Sequence, residues 1–116
     1  MDHEEQARQN HRCGFNCAQS VYAAFADRLG VSVDEARRMA PLPRGEGGKC
    51  GAYLAGMKLL RQLRPEAADR FERDFCALNG EAECRLMVAA HRVLKKTCND
   101  YVADAARLVD AELDGD

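Results

Sequence analysis

The sequence predicts an all-α protein: one domain over residues 1–116, folded as a bundle of five or six helices. Apolar residues recur at helical spacing along the chain, and the strand-favouring residues Val, Ile and Thr are sparse. Polar residues that cap helices stand at three expected helix starts, namely Asn16, Ser32 and Thr97. A chain of 116 residues is long enough to bury a core as a single domain.

The first predicted helical segment runs from Glu4 to Leu29 and is interrupted near residues 13–16. Asn16 can cap its second half, because an asparagine side chain accepts hydrogen bonds from the unpaired amides of the next turn. Gly30 is expected to end the segment, since glycine readily adopts the left-handed conformation that follows many helices.

A short helix and a long loop are predicted next. Ser32 and Glu35 form a capping box that opens a helix to about Met39. Two prolines and three glycines make residues 41–49 the clearest loop of the chain. The following helix is expected to begin near Cys50.

The remaining helices are predicted between Pro65 and the C-terminus. Pro65 suits the first turn of one helix, which should end at residues 79–80, Asn followed by Gly. Apolar residues at helical spacing predict another helix over residues 84–96. Thr97 and Asp100 form a capping box for the last one.

Charge and hydropathy argue against several classes of partner. The 17 basic and 19 acidic residues give a net charge of −2, and the basic residues are scattered, so no nucleic-acid partner is expected. No segment approaches the roughly 20 apolar residues of a membrane span. The N-terminus is polar and acidic, which is unlike a secretory signal. We therefore expect a cytoplasmic protein with no membrane partner, whose oligomeric state stays open.

Six cysteines are the most unusual feature of the composition. Thiols are kept reduced in the cytosol, so this count indicates metal binding, a cluster or redox chemistry more than a disulfide framework. Four cysteines lie in the first turn of a predicted helix, where unpaired amides and the helix dipole stabilise a thiolate. These are Cys17, Cys50, Cys84 and Cys98. Because they also lie on apolar stripes, four buried and unreactive thiols are the open alternative.

Other motifs for metal or redox chemistry are lacking in the sequence. It contains no CxxC, the spacing typical of zinc ribbons and of thioredoxin-type pairs. The histidines His3, His11 and His91 have no ligand spacing to one another, so we expect all three to be ordinary residues.

Four segments in order resemble a known family. They are GFNCAQSVYAAF (14–25), GEGGKCGAYLAG (45–56), FERDFCALNGEAECRLM (71–87) and TCNDYVADAARLVDAEL (97–113). Together they resemble the redox-active protein family whose signature is written C_GCAxxG_C_C. The resemblance implies that Cys17, Cys50, Cys84 and Cys98 are the signature cysteines.

The resemblance extends to the residues around Cys50, with one departure. Gly51 and Ala52 match the next two positions of the signature, whereas Ala55 stands where the family usually has glycine and Gly56 follows one place late. If that glycine allows a close backbone approach, we expect the local packing to differ here. Two further cysteines, Cys13 and Cys76, are outside the signature.

Three functions are compatible with these cysteine positions. In a thiol redox protein, two signature cysteines would cycle between dithiol and disulfide with a partner protein or a small thiol. Cys50 is the expected attacker there, because it lies at an exposed turn beside Lys49. Alternatively, the same four cysteines bind an iron–sulfur cluster or zinc. The third function is a non-catalytic helical interaction module whose cysteines only pack.

We expect the signature cysteines to converge on one site, although one spacing opposes it. Cys84 and Cys98 are fourteen positions apart (98 − 84). In one continuous helix that spacing would separate them by about 21 Å. The Cα atoms of a disulfide lie within about 7 Å of each other. Convergence therefore requires that residues 85–96 be short, bent or partly unwound.

Overall fold

The computed structural model describes residues 2–42, 50–79 and 97–113, and they are helical apart from caps and short connections. Four helices come first: α1 (His3–Arg12), α2 (Cys17–Ala24), α3 (Ala26–Leu29) and α4 (Val33–Met39). Then come α5 (Gly51–Leu63), a 3₁₀ turn (Pro65–Ala67), α6 (Ala68–Asn79) and α7 (Cys98–Leu113). These residues contain no strand, and the predicted all-α class is confirmed.

The capping residues predicted from the sequence act as caps. The Asn16 side chain caps α2. The Ser32 hydroxyl accepts a hydrogen bond from the amide of Glu35 at 3.1 Å. At the start of α7, the Thr97 amide donates to the Asp100 carboxylate at 2.9 Å, and the Asp100 amide donates to the Thr97 hydroxyl at 3.3 Å. Local hydrogen bonding thus sets where these helices begin.

Two helix boundaries differ from the sequence-based expectation. The segment that ends at Leu29 is broken a second time at Phe25, whose amide bonds to the carbonyl of Tyr22, three residues back, at 3.2 Å. The Phe25 ring is fully buried and stacks on His3, so tertiary packing accompanies this break. Pro65 begins a 3₁₀ turn, and α6 starts only at Ala68.

The core forms where α2 and α7 pack against the other helices. Both contact α1 and α5; α2 also contacts α4, and α7 also contacts α6. The largest side chains with no exposed surface are Tyr22, Phe25, Leu59, Leu60, Phe71 and Phe75. Within the described ranges, no helix has the length and apolar character needed to span a membrane.

Part of the sequence prediction lies outside the described residues. This part comprises most of the loop over 41–49, the helix expected over 84–96, and Cys84 itself. The predicted convergence of Cys84 on the other three signature cysteines therefore stays a prediction.

Candidate thiol site

Cys17 is the first residue of α2, and the cap before it fixes this position. The Asn16 side chain accepts from the amide of Gln19 at 2.8 Å, and the Gln19 side chain accepts from the amide of Asn16 at 3.1 Å. The first amides of a helix have no partner within it, and they favour negative charge nearby. Cys17 is partly exposed, so its sulfur combines a helix-start setting with access for a reactant.

Cys50 immediately precedes α5, and its carbonyl accepts the amide of Leu54 at 2.9 Å. Only 5% of its surface is exposed, and it packs in the core. The expectation of an exposed Cys50 is wrong, because α2 and α7 both pack on α5. This thiol is therefore less accessible to a reactant from solvent than that of Cys17.

Gly51 brings the start of α5 against the start of α2. A Cβ atom at Gly51 would lie 3.0 Å from the amide nitrogen of Ala18 and 3.3 Å from the Cβ of Cys17. Such distances are tighter than nine in ten real Cβ contacts, so glycine permits this approach. Since Cys50 is covalently joined to Gly51, the two cysteines occupy neighbouring positions.

Cys98 is the first residue of α7, a helix that packs against both α2 and α5. Burial raises the pKa of Tyr101, and the negative charges of Cys50 and Cys98 raise it further. Tyr101 and Cys50 are both buried in the same core cluster. Cys50 thus neighbours Cys17 at Gly51, and Cys98 begins the helix that carries Tyr101. We call these five residues the helix-start junction.

The two cysteines outside the signature have other surroundings. Cys13 is exposed and caps the end of α1. Cys76 is on α6, where its charge acts on Tyr53, whose pKa is raised chiefly by burial and by a hydrogen bond with Glu72. Among the cysteines that the structure describes, none is joined to another in a disulfide.

A histidine that sequence reasoning set aside lies against the junction. His11, near the end of α1, places Nε2 4.0 Å from the sulfur of Cys17. Its other ring nitrogen, Nδ1, lies 3.3 Å from the side-chain amide of Asn99 on α7. Burial lowers the pKa of His11. One sequence signal pointed to this position: His11 follows the buried Ala7 by four residues and so shares its face of α1.

The described residues hold no ready metal site. Over residues 2–42, 50–79 and 97–113, no group of three or more His, Cys, Asp or Glu side chains is arranged to hold a metal ion. Within these ranges, the three described signature cysteines are not arranged as metal ligands. The four-ligand interpretation depends on Cys84, which is outside these ranges.

Comparison with known proteins supplies the family. The model of the family described as "Putative redox-active protein (C_GCAxxG_C_C)" matches residues 15–112. The chain belongs to this family. No curated protein and no solved structure matches it.

The structure shows how the small residues near Cys50, which are part of the C_GCAxxG_C_C signature, contribute to helix packing. Gly51 allows the contact between α2 and α5, and Ala52 is fully buried behind it. The displaced glycine also has a role, because a Cβ at Gly56 would overlap the ring of Phe71. Ala55 is buried without exposed surface. The one-place shift of the glycine therefore coincides with the site where α6 approaches α5.

Proposed function

We propose that the protein performs thiol–disulfide exchange at the helix-start junction, with Cys17 and Cys50 as the exchanging pair. The observation that carries this proposal is the contact at Gly51, which sets the start of α2 against the start of α5. Membership in a redox-active family supports the same chemistry.

Exposure assigns the order of the two cysteines. Cys17 is partly exposed, whereas Cys50 is buried, so a disulfide substrate reaches Cys17 first. Access and thiolate character govern which thiol attacks. In this proposal Cys17 is therefore the attacking cysteine, the role that the sequence suggested for Cys50. Cys50 is the resolving cysteine, which attacks the mixed disulfide.

The exchange balances without another reagent. The Cys17 thiolate attacks one sulfur of a substrate disulfide, forms a mixed disulfide and releases the other substrate sulfur as a thiolate. The Cys50 thiolate then attacks the Cys17 sulfur and releases the second substrate thiolate. The protein dithiol is oxidised to a disulfide, and the substrate disulfide is reduced to two thiols that take up the two protons.

Cys98 and Cys84 complete the proposed signature set. Cys98, at the start of a helix that packs on α5, would exchange with the Cys50 sulfur after the first step. Cys84 is included in the proposed set only because it matches the family signature. A redox partner protein or a small thiol would return the oxidised pair to the dithiol form.

The test follows a small aromatic disulfide reacting with the reduced protein. We expect wild type to release a first and then a second probe thiolate from the junction. Cys17→Ser should abolish this reaction, and Cys50→Ser should stop at a mixed disulfide on Cys17. Cys13→Ser and Cys76→Ser are matched controls from outside the signature and should retain it. A Cys17→Ser protein that exchanges as fast as these controls would contradict the proposal.

Metal content is measured on the same protein, purified without oxygen. Stoichiometric iron with visible absorption, or stoichiometric zinc that blocks the probe, would favour the metal-binding interpretation. Six slow and equal thiols would favour an interaction module whose cysteines only pack. Fast exchange that depends on Cys17 supports the proposed function.

A further inference from the structure

A polar connection joins the end of α1 to the starts of α2 and α7. Its members are Arg8, His11 and Asn99, together with the Cys17 sulfur that it reaches. Arg8 and His11 precede the residues matched by the family, 15–112. The cysteine signature therefore assigns no role to these two residues.

Arg8 fixes the orientation of the Asn99 side chain. Its guanidinium donates to Oδ1 of Asn99 at 2.6 Å, and its backbone carbonyl accepts from Nδ2 at 3.2 Å. Rotating the amide by 180° would set oxygen against the carbonyl and NH₂ against the guanidinium, so only one orientation satisfies both groups. Nδ2 consequently faces His11.

The fixed amide selects the tautomer of His11. Nδ2 of Asn99 has two hydrogens; one goes to the Arg8 carbonyl, and the other points at Nδ1 of His11. Nδ1 must therefore accept, and the neutral ring carries its proton on Nε2. Nε2 is the nitrogen that lies 4.0 Å from the Cys17 sulfur.

We propose that His11 is a positioning residue for Cys17, donating its Nε2–H to the thiolate and so making Cys17 the attacking sulfur. The inference rests on the proposed thiol–disulfide function and adds what activates its first step. Because Nε2 already carries a proton, His11 acts as a hydrogen-bond donor and not as the base. The thiol proton of Cys17 passes to water before attack.

The surroundings favour the neutral ring. Burial lowers the pKa of His11, and an imidazolium would turn an N–H of Nδ1 toward the NH₂ of Asn99. Arg8 from α1 and Asp100 from α7 flank the cluster and form an ion pair at 3.1 Å, so their charges offset each other. Among the described residues, the sulfur that Nε2 reaches is that of Cys17 from α2.

The experiment measures the rate at which iodoacetamide alkylates Cys17 as a function of pH, using peptide mass spectrometry. A Cys13→Ser background is needed, because cleavage after Arg12 and Arg28 leaves both cysteines in one peptide. His11→Ala should raise the pH of half-maximal rate by about one unit and slow alkylation about tenfold below it. His11→Gln, which keeps a neutral N–H donor at a similar position, should stay within about twofold of wild type.

Three results would contradict the inference. Equal profiles for wild type and His11→Ala would show that the ring does not act on the sulfur. A His11→Gln profile as slow as that of His11→Ala would show that an imidazolium charge is required. Asn99→Ala is the second variant. It should also slow alkylation, because without the Asn99 amide the proton of His11 is no longer held on Nε2. An unchanged rate would contradict the tautomer argument. Circular dichroism checks the fold of each variant.

Failure of the proposed function would look different. In that case, wild-type Cys17 alkylates with the expected dependence on His11, yet the reduced protein does not exchange with the aromatic disulfide. If wild type and His11→Ala exchange with the disulfide at the same rate, His11 does not assist Cys17, but the proposed thiol–disulfide exchange is still supported.

Discussion

Replacing Gly56 with alanine tests how α5 and α6 pack behind the helix-start junction. A Cβ at this position would overlap the ring of Phe71, which has no exposed surface. That ring stacks against Phe75 at a centroid distance of 5.9 Å and against Tyr53 at 6.2 Å. The ring therefore cannot turn aside without displacing its neighbours.

Two opposing contributions determine how Gly56→Ala changes the free energy of unfolding. Alanine in a helix interior is favoured over glycine by about 0.5–1 kcal/mol. Forcing an extra methyl group into a packed core costs about 1–3 kcal/mol. Because the overlap involves a fully buried ring, we expect the second term to win, with a net loss of about 1–2 kcal/mol. The melting temperature should fall by roughly 4 °C for each kcal/mol.

Urea unfolding of wild type and Gly56→Ala, each with and without Phe71→Leu, provides the assay. The cost of Gly56→Ala should shrink in the Phe71→Leu background, because the smaller side chain leaves room for the methyl group. Ala55→Gly is the matched control; it restores the family's usual glycine and should be destabilising, since it removes a buried methyl group. A stabilising Gly56→Ala, or an equal cost in both backgrounds, would refute the packing argument.

Further predictions concern pH and capping. The pKa of His3 is raised: burial lowers it, but hydrogen bonds to Asp27 and Asp110 more than offset this. The stability that His3 contributes is thus fully present below its ordinary pKa of 6.5 and is lost as pH rises through the raised value. The difference in free energy of unfolding between wild type and His3→Gln should therefore shrink with rising pH, and a constant difference would contradict this. Asn16→Ala should cost about 1 kcal/mol of stability while Asn16→Ser costs less, because serine can still cap α2; calorimetry measures both, and equal losses would exclude the cap.

Local chemistry explains why much of the fold could be predicted from the sequence. Asn16, Ser32 and Thr97 cap helices through bonds to residues three positions later, so a short window contains the whole signal. The break at Phe25 has no such signal, since its ring packs on His3, 22 positions earlier (25 − 3). Boundaries that depend on distant burial are missing from local patterns.

Some features of the candidate site could likewise be predicted from the sequence, and others could not. The family signature and the helix starts identified Cys17, Cys50 and Cys98, and the structure sets the start of α2, at Cys17, against the start of α5, which Cys50 precedes. The burial of Cys50 could not be predicted, because it depends on how α2 and α7 pack over α5.

His11 was missed for a related reason. Its partner Asn99 is 88 positions away in the sequence, so no spacing rule connects the two residues. The helical stripe shared with Ala7 indicates a buried side of α1 but does not say which element covers it. Only the packing of α1 on α2 and α7 brings the ring to the Cys17 sulfur.

The most direct test of the central claim is to map the disulfide that forms when the reduced protein is oxidised by a stoichiometric disulfide probe. In a Cys13→Ser background, cleavage after lysine and arginine gives one peptide over 13–28 with Cys17 and another over 50–58 with Cys50. The account predicts that these two peptides become linked first. A first disulfide that joins other cysteines while Cys17 and Cys50 remain thiols would contradict it.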